Sequence, residues 1–228
     1  LVIVSSPRFD TNHFSRYYPQ LCKVMVVENR LIEGDDFADR PDQTETSYGT
    51  RLRIGWFGNL RCRRSLTLLL KVAQRFPDAV DIVLRGYPAP GVFADFEGEI
   101  APYANVHYYG RYHAPQDLAD IYSDIDVIWA GDWYEYGANS LWLLPNRIYE
   151  GGYFATPALA PAGTETGRWI ADNGAGFVID EPIEQTLETC VSQFIKDRAP
   201  LAERCIRLLE LPRSSFVEDS DTVRRLFD

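Results

Sequence analysis

Short apolar runs alternate along this chain with segments whose apolar residues recur at helical spacing. From residue 51 the alternation is regular. Arg51–Phe57 (RLRIGWF) predicts a strand that ends at Gly58-Asn59, and Ser65–Phe76 predicts an amphipathic helix. Strands are then predicted at Asp81–Leu84, Asn105–Tyr109, Asp126–Ala130, Pro157–Ala160 and Gly176–Ile179. Between them lie predicted helices at Phe93–Ala101, Pro115–Tyr122, Leu144–Tyr153 and about Thr166–Asp172. Pro115 and Pro145 are expected in first turns, where proline is tolerated. Ile183–Lys196, Leu201–Leu209 and Ser214–Phe227 predict three closing helices, with breaks at Pro200 and Pro212.

Strand, helix, strand at this spacing implies parallel strands, which need crossover connections and end up covered on both faces. The expected fold is α/β: a Rossmann-like, doubly wound parallel sheet of about six strands with extra C-terminal helices. Before residue 51 the pattern differs. Leu1–Val4 and Lys23–Val27 predict two strands joined by a polar, aromatic connection, and residues 34–50 are polar and turn-rich without periodicity. The expected organisation is 1–33 as a separate remnant, 34–50 as linker, 51–212 as the main domain and 213–228 as a terminal helix.

Composition narrows the chemistry. The chain of 228 residues is 46% hydrophobic and 25% charged, as expected of a globular domain. A formal net charge of −10 argues against a nucleic-acid partner, whose phosphates demand a basic surface. No run approaches the roughly 20 apolar residues of a membrane span. Cys22, Cys62, Cys190 and Cys205 form no CxxC pair, and His13, His107 and His113 have no metal-ligand spacing, so free thiols and no metal site are expected.

In an open parallel sheet, ligands bind beyond the carboxyl ends of the strands. This selects Gly58–Arg64, Arg85–Gly91, Gly110–His113, Gly131–Asn146 and Ala160–Thr166. In the first, Gly58-Asn59-Leu60 leads through Arg61, Arg63 and Arg64 into a helix, a basic patch suited to a diphosphate. The competing reading is a solvated basic turn. Glu150 lies about one turn into the helix behind Pro145, beside Gly151 and Gly152, which could let a ligand approach. Its carboxylate could accept two hydrogen bonds from a ribose diol, or simply pair with Arg147 on the surface. Trp129, Trp133, Tyr134, Tyr136 and Trp142 crowd one loop. They could line a sugar or base pocket, though core positions suit Trp129 and Trp142 better.

Taken in order, IGWFGNLRCRRSL, ANVHYYGRYHAPQDLADIYSDIDVIWAG, LPNRIYEGGYFATPALAP and NGAGFVID resemble the C-terminal, donor-binding domain of GT-B-fold glycosyltransferases. The likeness is to the large retaining family 4, in a variant associated with bacterial polysaccharide biosynthesis. The resemblance covers about residues 1–180. It implies that the chain is the donor-binding part of an enzyme moving a sugar, with retention, from a nucleotide-diphosphate sugar, UDP- or GDP-linked. The acceptor would be a saccharide or a lipid-linked saccharide, held by an N-terminal domain of which residues 1–33 are the remnant. The last helix would cross back toward that domain. The chain alone would then bind a nucleotide diphosphate and transfer little. No obligatory cofactor or metal is implied, and the setting would be the cytoplasm or the inner face of the membrane. Glu150 matches the family's ribose-binding glutamate. Arg61, with Arg63 or Arg64, falls where basic residues hold the diphosphate and stabilise its departure. Gly58 and Asn59 would offer backbone there, while Gly86, Tyr87, Arg111 and Tyr112 would frame the base. Asn146 belongs to the same donor-site helix motif. The family's second glutamate, eight residues before Glu150, is replaced by Trp142; Glu135, Asn139 or Ser140 could serve the sugar end instead. A nucleotide-sugar 2-epimerase of the same architecture and a non-catalytic interaction module are the alternatives.

Overall fold

The computed structural model describes residues 1–20, 23–34, 36–42, 49–137 and 139–224. Much of the expected linker, together with Cys22 and Phe227, lies outside the described residues. The chain opens with β1 (Val2–Val4), followed by α1 (Pro7–Phe9), a π-helical turn at Asp10–Phe14 and α2 (Ser15–Tyr17). The next strand, β2 (Val24–Val26), pairs in parallel with β1, and β3 (Leu31–Ile32) comes next. The main domain runs β4 (Leu52–Leu60), α3 (Arg63–Arg75), β5 (Val80–Pro88), α4 (Phe96–Ile100), β6 (Val106–Tyr108), α5 (Leu118–Ser123) and β7 (Val127–Trp129). It continues α6 (Asn139–Trp142), α7 (Asn146–Tyr153), β8 (Ala158–Pro161), α8 (Glu165–Asn173) and β9 (Gly176–Ile179). The chain ends α9 (Ile183–Lys196), α10 (Ala199–Glu210), a 3₁₀ turn at Arg213–Ser215, β10 (Val217–Glu218) and α11 (Ser220–Arg224).

Strands β4 to β9 form one parallel sheet of order β6-β5-β4-β7-β8-β9. The chain starts in the middle, winds out to one edge, returns, and winds out to the other, the order of a dinucleotide-binding doubly wound fold. Alternation within each strand feeds two cores. Ile54, Trp56, Ile82, Leu84, Val127 and Trp129 face the layer of α3 and α9. Phe57, Val83 and Ile128 face that of α5, α7 and α8. Burial on both faces explains why these strands read as nearly continuous apolar runs.

Several expected helix boundaries move: α4 begins at Phe96 rather than Phe93, and α7 at Asn146, with Pro145 as its N-cap rather than in its first turn. Pro115 lies in the turn before α5, which begins at Leu118 rather than at the proline. The expected helix over Ser214–Phe227 is instead the 3₁₀ turn, β10 and the short α11 within the described residues. The competing interaction is tertiary: β10 pairs in parallel with β3, Val217 opposite Leu31. Phe216, fully buried, is driven onto α7 at the same time.

That contact corrects another expectation. Gly151 and Gly152 admit no ligand. A Cβ on Gly151 would meet Thr156, Tyr122 and Ile128 at 3.2–3.3 Å, and one on Gly152 would meet the Phe216 ring at 2.3 Å. The glycines are small so that the helix can seat against its own protein. Arg40 completes the arrangement, lying over the Phe216 ring and bonding the carbonyls of Leu208 and Leu211 at the end of α10. Gly152→Ala is therefore expected to destabilise the fold by about 1–3 kcal/mol through overpacking, read as a lower urea midpoint with an unchanged slope.

Candidate functional site

The strand order reverses between β4 and β7, and the two strands part there. They share only the register pairs Ile54–Val127 and Gly55–Ile128, whereas β4 and β5 stay paired from Leu52–Val80 to Leu60–Pro88. The far half of β4 is thus bare on its β7 side. A cleft of 470 Å³ opens there, lined by Phe57, Gly58, Asn59 and Arg61 from β4 and its loop. Asp132, Asn139 and the Leu143–Arg147 stretch form another wall, with Glu150 beyond them; Tyr112 and Ala114 lie across, and Ser5 and Asn29 reach in from the N-terminal segment.

Backbone conformation makes this possible at Gly58 and Gly86, which are register partners. Gly58 has φ +101° and Gly86 φ +120°, values that L side chains rarely adopt. A Cβ on Gly86 would stand 1.8 Å from the Gly58 carbonyl oxygen, so Gly86 supports the floor of the cleft rather than lining it.

The basic loop divides. Arg61 turns toward the cleft, where its Nε donates to Asp132 Oδ2 at 3.0 Å. Arg63 pairs with Glu99 at 2.5 Å and lies over Phe93, while Arg64 pairs with Glu181 at 3.2 Å and lies over Trp133. Both line a neighbouring depression with Trp133, Tyr134 and Tyr136, not the cleft. Arg61 also borders that depression, over the Tyr134 ring, but it alone of the three reaches the cleft; carboxylates on three separate segments, Asp132, Glu99 and Glu181, pull the guanidiniums apart, which their adjacency in sequence concealed.

Glu150 is buried and accepts a hydrogen bond from the Tyr122 hydroxyl at 2.8 Å. Burial pushes its carboxyl above the ordinary range, opposed by the Tyr122 bond and by the Arg147 charge. The alternative reading of a surface pair with Arg147 is not met: no ion pair joins the two side chains, and both are buried. Arg147 donates from Nη1 to the Phe57 carbonyl at 2.9 Å. Tyr112, on the opposite wall, is held protonated by burial and by the charge of Glu150.

The other expected residues are placed as follows. Asn59, Asn139 and Asn146 line the cleft. Ser140 lies behind the lining, its hydroxyl donating to Asp132 Oδ1 at 3.0 Å. Glu135 is tied to Asn139 at 2.6 Å and does not reach the cleft. Tyr87 and Arg111 stack on each other at 5.1 Å on the surface, clear of it. Trp129 is core, and Trp142 packs edge-on against Phe9 at 5.9 Å.

Asp132 and Arg147 are the residues that sequence reasoning passed over. Asp132 lies three residues beyond the end of β7, within a segment that the strand-end rule had already singled out. It gathers Arg61, Ser140 and the Tyr134 amide (2.8 Å) into one buried knot. Arg147 is three residues before Glu150, so the two share a helix face, and a face that buries one buries the other. Two guanidiniums opening on one cleft can hold an anion, and a carboxylate beside them can accept from hydroxyls. Among the described residues no group of histidine, cysteine and acidic side chains could hold a metal ion, and no helix is long and apolar enough to cross a membrane.

The sequence is 37% identical over 211 residues to the succinoglycan biosynthesis protein ExoL of Rhizobium meliloti (strain 1021), a match covering 91% of this chain and 52% of that protein. The chain thus spans about half the length of that curated relative. No family model matches it. The solved structure of Anabaena HepE in complex with UDP and glucose is similar over 100% of this chain and 61% of that one, with a TM-score of 0.70 and 17% identity. The C-terminal domain of LpcC, a group 1 family glycosyl transferase from Francisella tularensis, is similar over 81% of this chain and 95% of its own, with a TM-score of 0.54 and 15% identity. The reversing sheet is accordingly that of the Rossmann-like domain of the GT-B fold.

Proposed function

We propose that this chain is the donor-binding part of a glycosyltransferase that builds a polysaccharide from a nucleotide-diphosphate sugar. One observation carries the reading: Arg61 and Glu150 are brought from distant parts of the sequence to one cleft at the switch point of the sheet. A guanidinium there meets the diphosphate, and a buried carboxylate meets the ribose hydroxyls. Similarity to ExoL supports polysaccharide assembly, and the UDP held by HepE supports a uridine donor. Residues 51–212 form the donor-binding domain in this reading. In the same reading residues 1–33 are the remnant of an acceptor-side domain for a saccharide or lipid-linked acceptor, 34–50 are the linker, and 213–228 cross back toward that domain. Transfer with retention follows from the motif resemblance alone.

The chemistry asked of this half is electrostatic. The diphosphate leaves with its charge, and a fixed guanidinium in a partly dry cleft stabilises that charge more than water does. Asp132 holds Arg61 through Nε, so the two terminal nitrogens of the guanidinium remain to face the ligand. Neither Glu135 nor Trp142 lines the cleft, so the carboxylate nearest the arginines, besides Glu150, is Asp132.

Calorimetry on this chain with UDP, GDP and their nucleosides tests the reading, and binding of a nucleoside diphosphate is the expected result. Glu150→Ala should weaken it by at least about tenfold, the worth of a hydrogen bond to a charged group, with the melting temperature not lowered. Unchanged affinity in a protein that melts early would make Glu150 structural. A second expectation concerns pH. The Glu150 carboxyl is raised above 4.5 in the fold, so the native state binds its proton more tightly than the unfolded chain. Stability from this group is present below the ordinary value and lost as pH rises through the folded pKa. Glu150→Gln removes the loss. Its melting temperature should exceed that of the wild type at neutral pH, by about 1.4 kcal/mol of stability per unit of pKa shift, and the advantage should shrink toward acid pH.

A further inference from the structure

Arg147 is the only buried cation among the described residues, and the protein does little to compensate it. Nη1 donates to the Phe57 carbonyl, Nε is buried with no hydrogen-bond partner, and no carboxylate among the described residues lies within ion-pair distance. Other buried charges are handled differently. Glu165, fully buried, is held between Arg8 at 2.7 Å and Arg168. Asp132 has Arg61, and Glu150 has the Tyr122 hydroxyl.

The surroundings add to the cost. Arg147 is the second residue of α7, where the helix dipole presents its positive end and disfavours a cation. The Arg61 charge opposes it from across the cleft; Asp132, Tyr112, Tyr122 and Glu150 are the other titratable groups that face it. An arginine does not shed its proton in a protein, so the charge stays and its desolvation goes uncompensated. A buried charge that the fold leaves unpaired, aimed into a cleft beside a second cation, is an anion receptor awaiting its anion. Gly58 keeps the space open: a Cβ there would lie 3.9 Å from both Arg147 Nη1 and the Tyr112 hydroxyl.

We propose that Arg147 is the principal diphosphate-binding residue of the cleft, closing on the ligand's phosphates opposite Arg61. The assignment rests on the nucleotide-sugar reading above and sharpens it. It transfers to α7 the role that the sequence offered to Arg63 and Arg64, whose charges are spent on Glu99 and Glu181. One eight-residue helix then carries both the phosphate ligand and, one turn on, the ribose ligand.

The experiment titrates the wild type, Arg147→Met and Arg147→Lys with UDP, uridine and inorganic pyrophosphate, and melts each protein without ligand. Arg147→Met should lose about 30-fold or more in affinity for UDP and for pyrophosphate, as expected for charge-assisted bonds, and nothing for uridine. Its unliganded melting temperature should equal or exceed that of the wild type, because an uncompensated charge has been removed. Arg147→Lys should fall between the two in UDP affinity, having the charge without the fork. Unchanged UDP affinity in Arg147→Met, or equal losses for UDP and uridine, would overturn the assignment and leave the nucleotide reading standing. If Arg147→Met does not fold, a Lys variant with wild-type discrimination between UDP and uridine and a lower melting temperature overturns it equally. Pyrophosphate binding that depends on Arg147, without any binding of UDP or GDP, would uphold the anion site and sink the nucleotide reading. Failure of the wild type to bind all three ligands would end both.

Discussion

Everything at this site depends on β4 leaving β7 after two register pairs. From there to Leu60 the strand keeps β5 on one side and, among the described residues, has no strand on the other. A parallel sheet that goes on pairing buries its backbone polar groups in ladders; one that parts leaves them facing a crevice. Arg53 O, on the same edge of β4 as Phe57 O, takes the Asp126 amide of the loop entering β7. Four residues on, where β7 has turned away, Phe57 O takes the Arg147 guanidinium instead. The cation that fills the gap in the ladder is the one left facing the cleft.

The cleft is kept open from several directions by bonds remote in sequence. Ser6 and Asn29 donate to the carbonyls of Trp142 and Leu144, so the N-terminal segment grips the loop before α7. Phe216 and β10 press on the far side of that helix, where Gly152 makes room. Helix α7 is thus clamped along its length. A clamped helix can hold a buried arginine and a buried glutamate unrelaxed, a cost the surrounding core of Ile148, Tyr149 and Tyr153 offsets. Rigidity of this kind would suit the proposed role, since fixed charges need not reorganise when a ligand's charge arrives.

Much of this was legible in the chain. Alternation of strand and helix patterns, with apolar runs too short for buried helices, determined a parallel, doubly wound sheet. The strand-end rule then pointed to the segments in which Gly58, Arg61, Asp132, Asn139 and Asn146 lie. The motif around Pro145 placed Glu150 on the right helix.

What the sequence could not determine is which neighbours in the chain become neighbours in space. Arg61, Arg63 and Arg64 look equivalent in sequence; acidic and aromatic partners from three other elements assign only Arg61 to the cleft. Whether Glu150 meets a ligand or pairs with Arg147 on the surface stayed open in sequence, because burial of their shared face is imposed by β4 and α5, not by α7. Ser214–Phe227 has helical spacing, yet strand pairing with residues 31–32 and burial of Phe216 outweigh that local preference. Local periodicity settled the strands and main helices of the central sheet and their order, but not β3, α6 or β10, which tertiary pairing and packing create. Charges take their roles from the dielectric and the partners around them, and those exist only once the chain has folded.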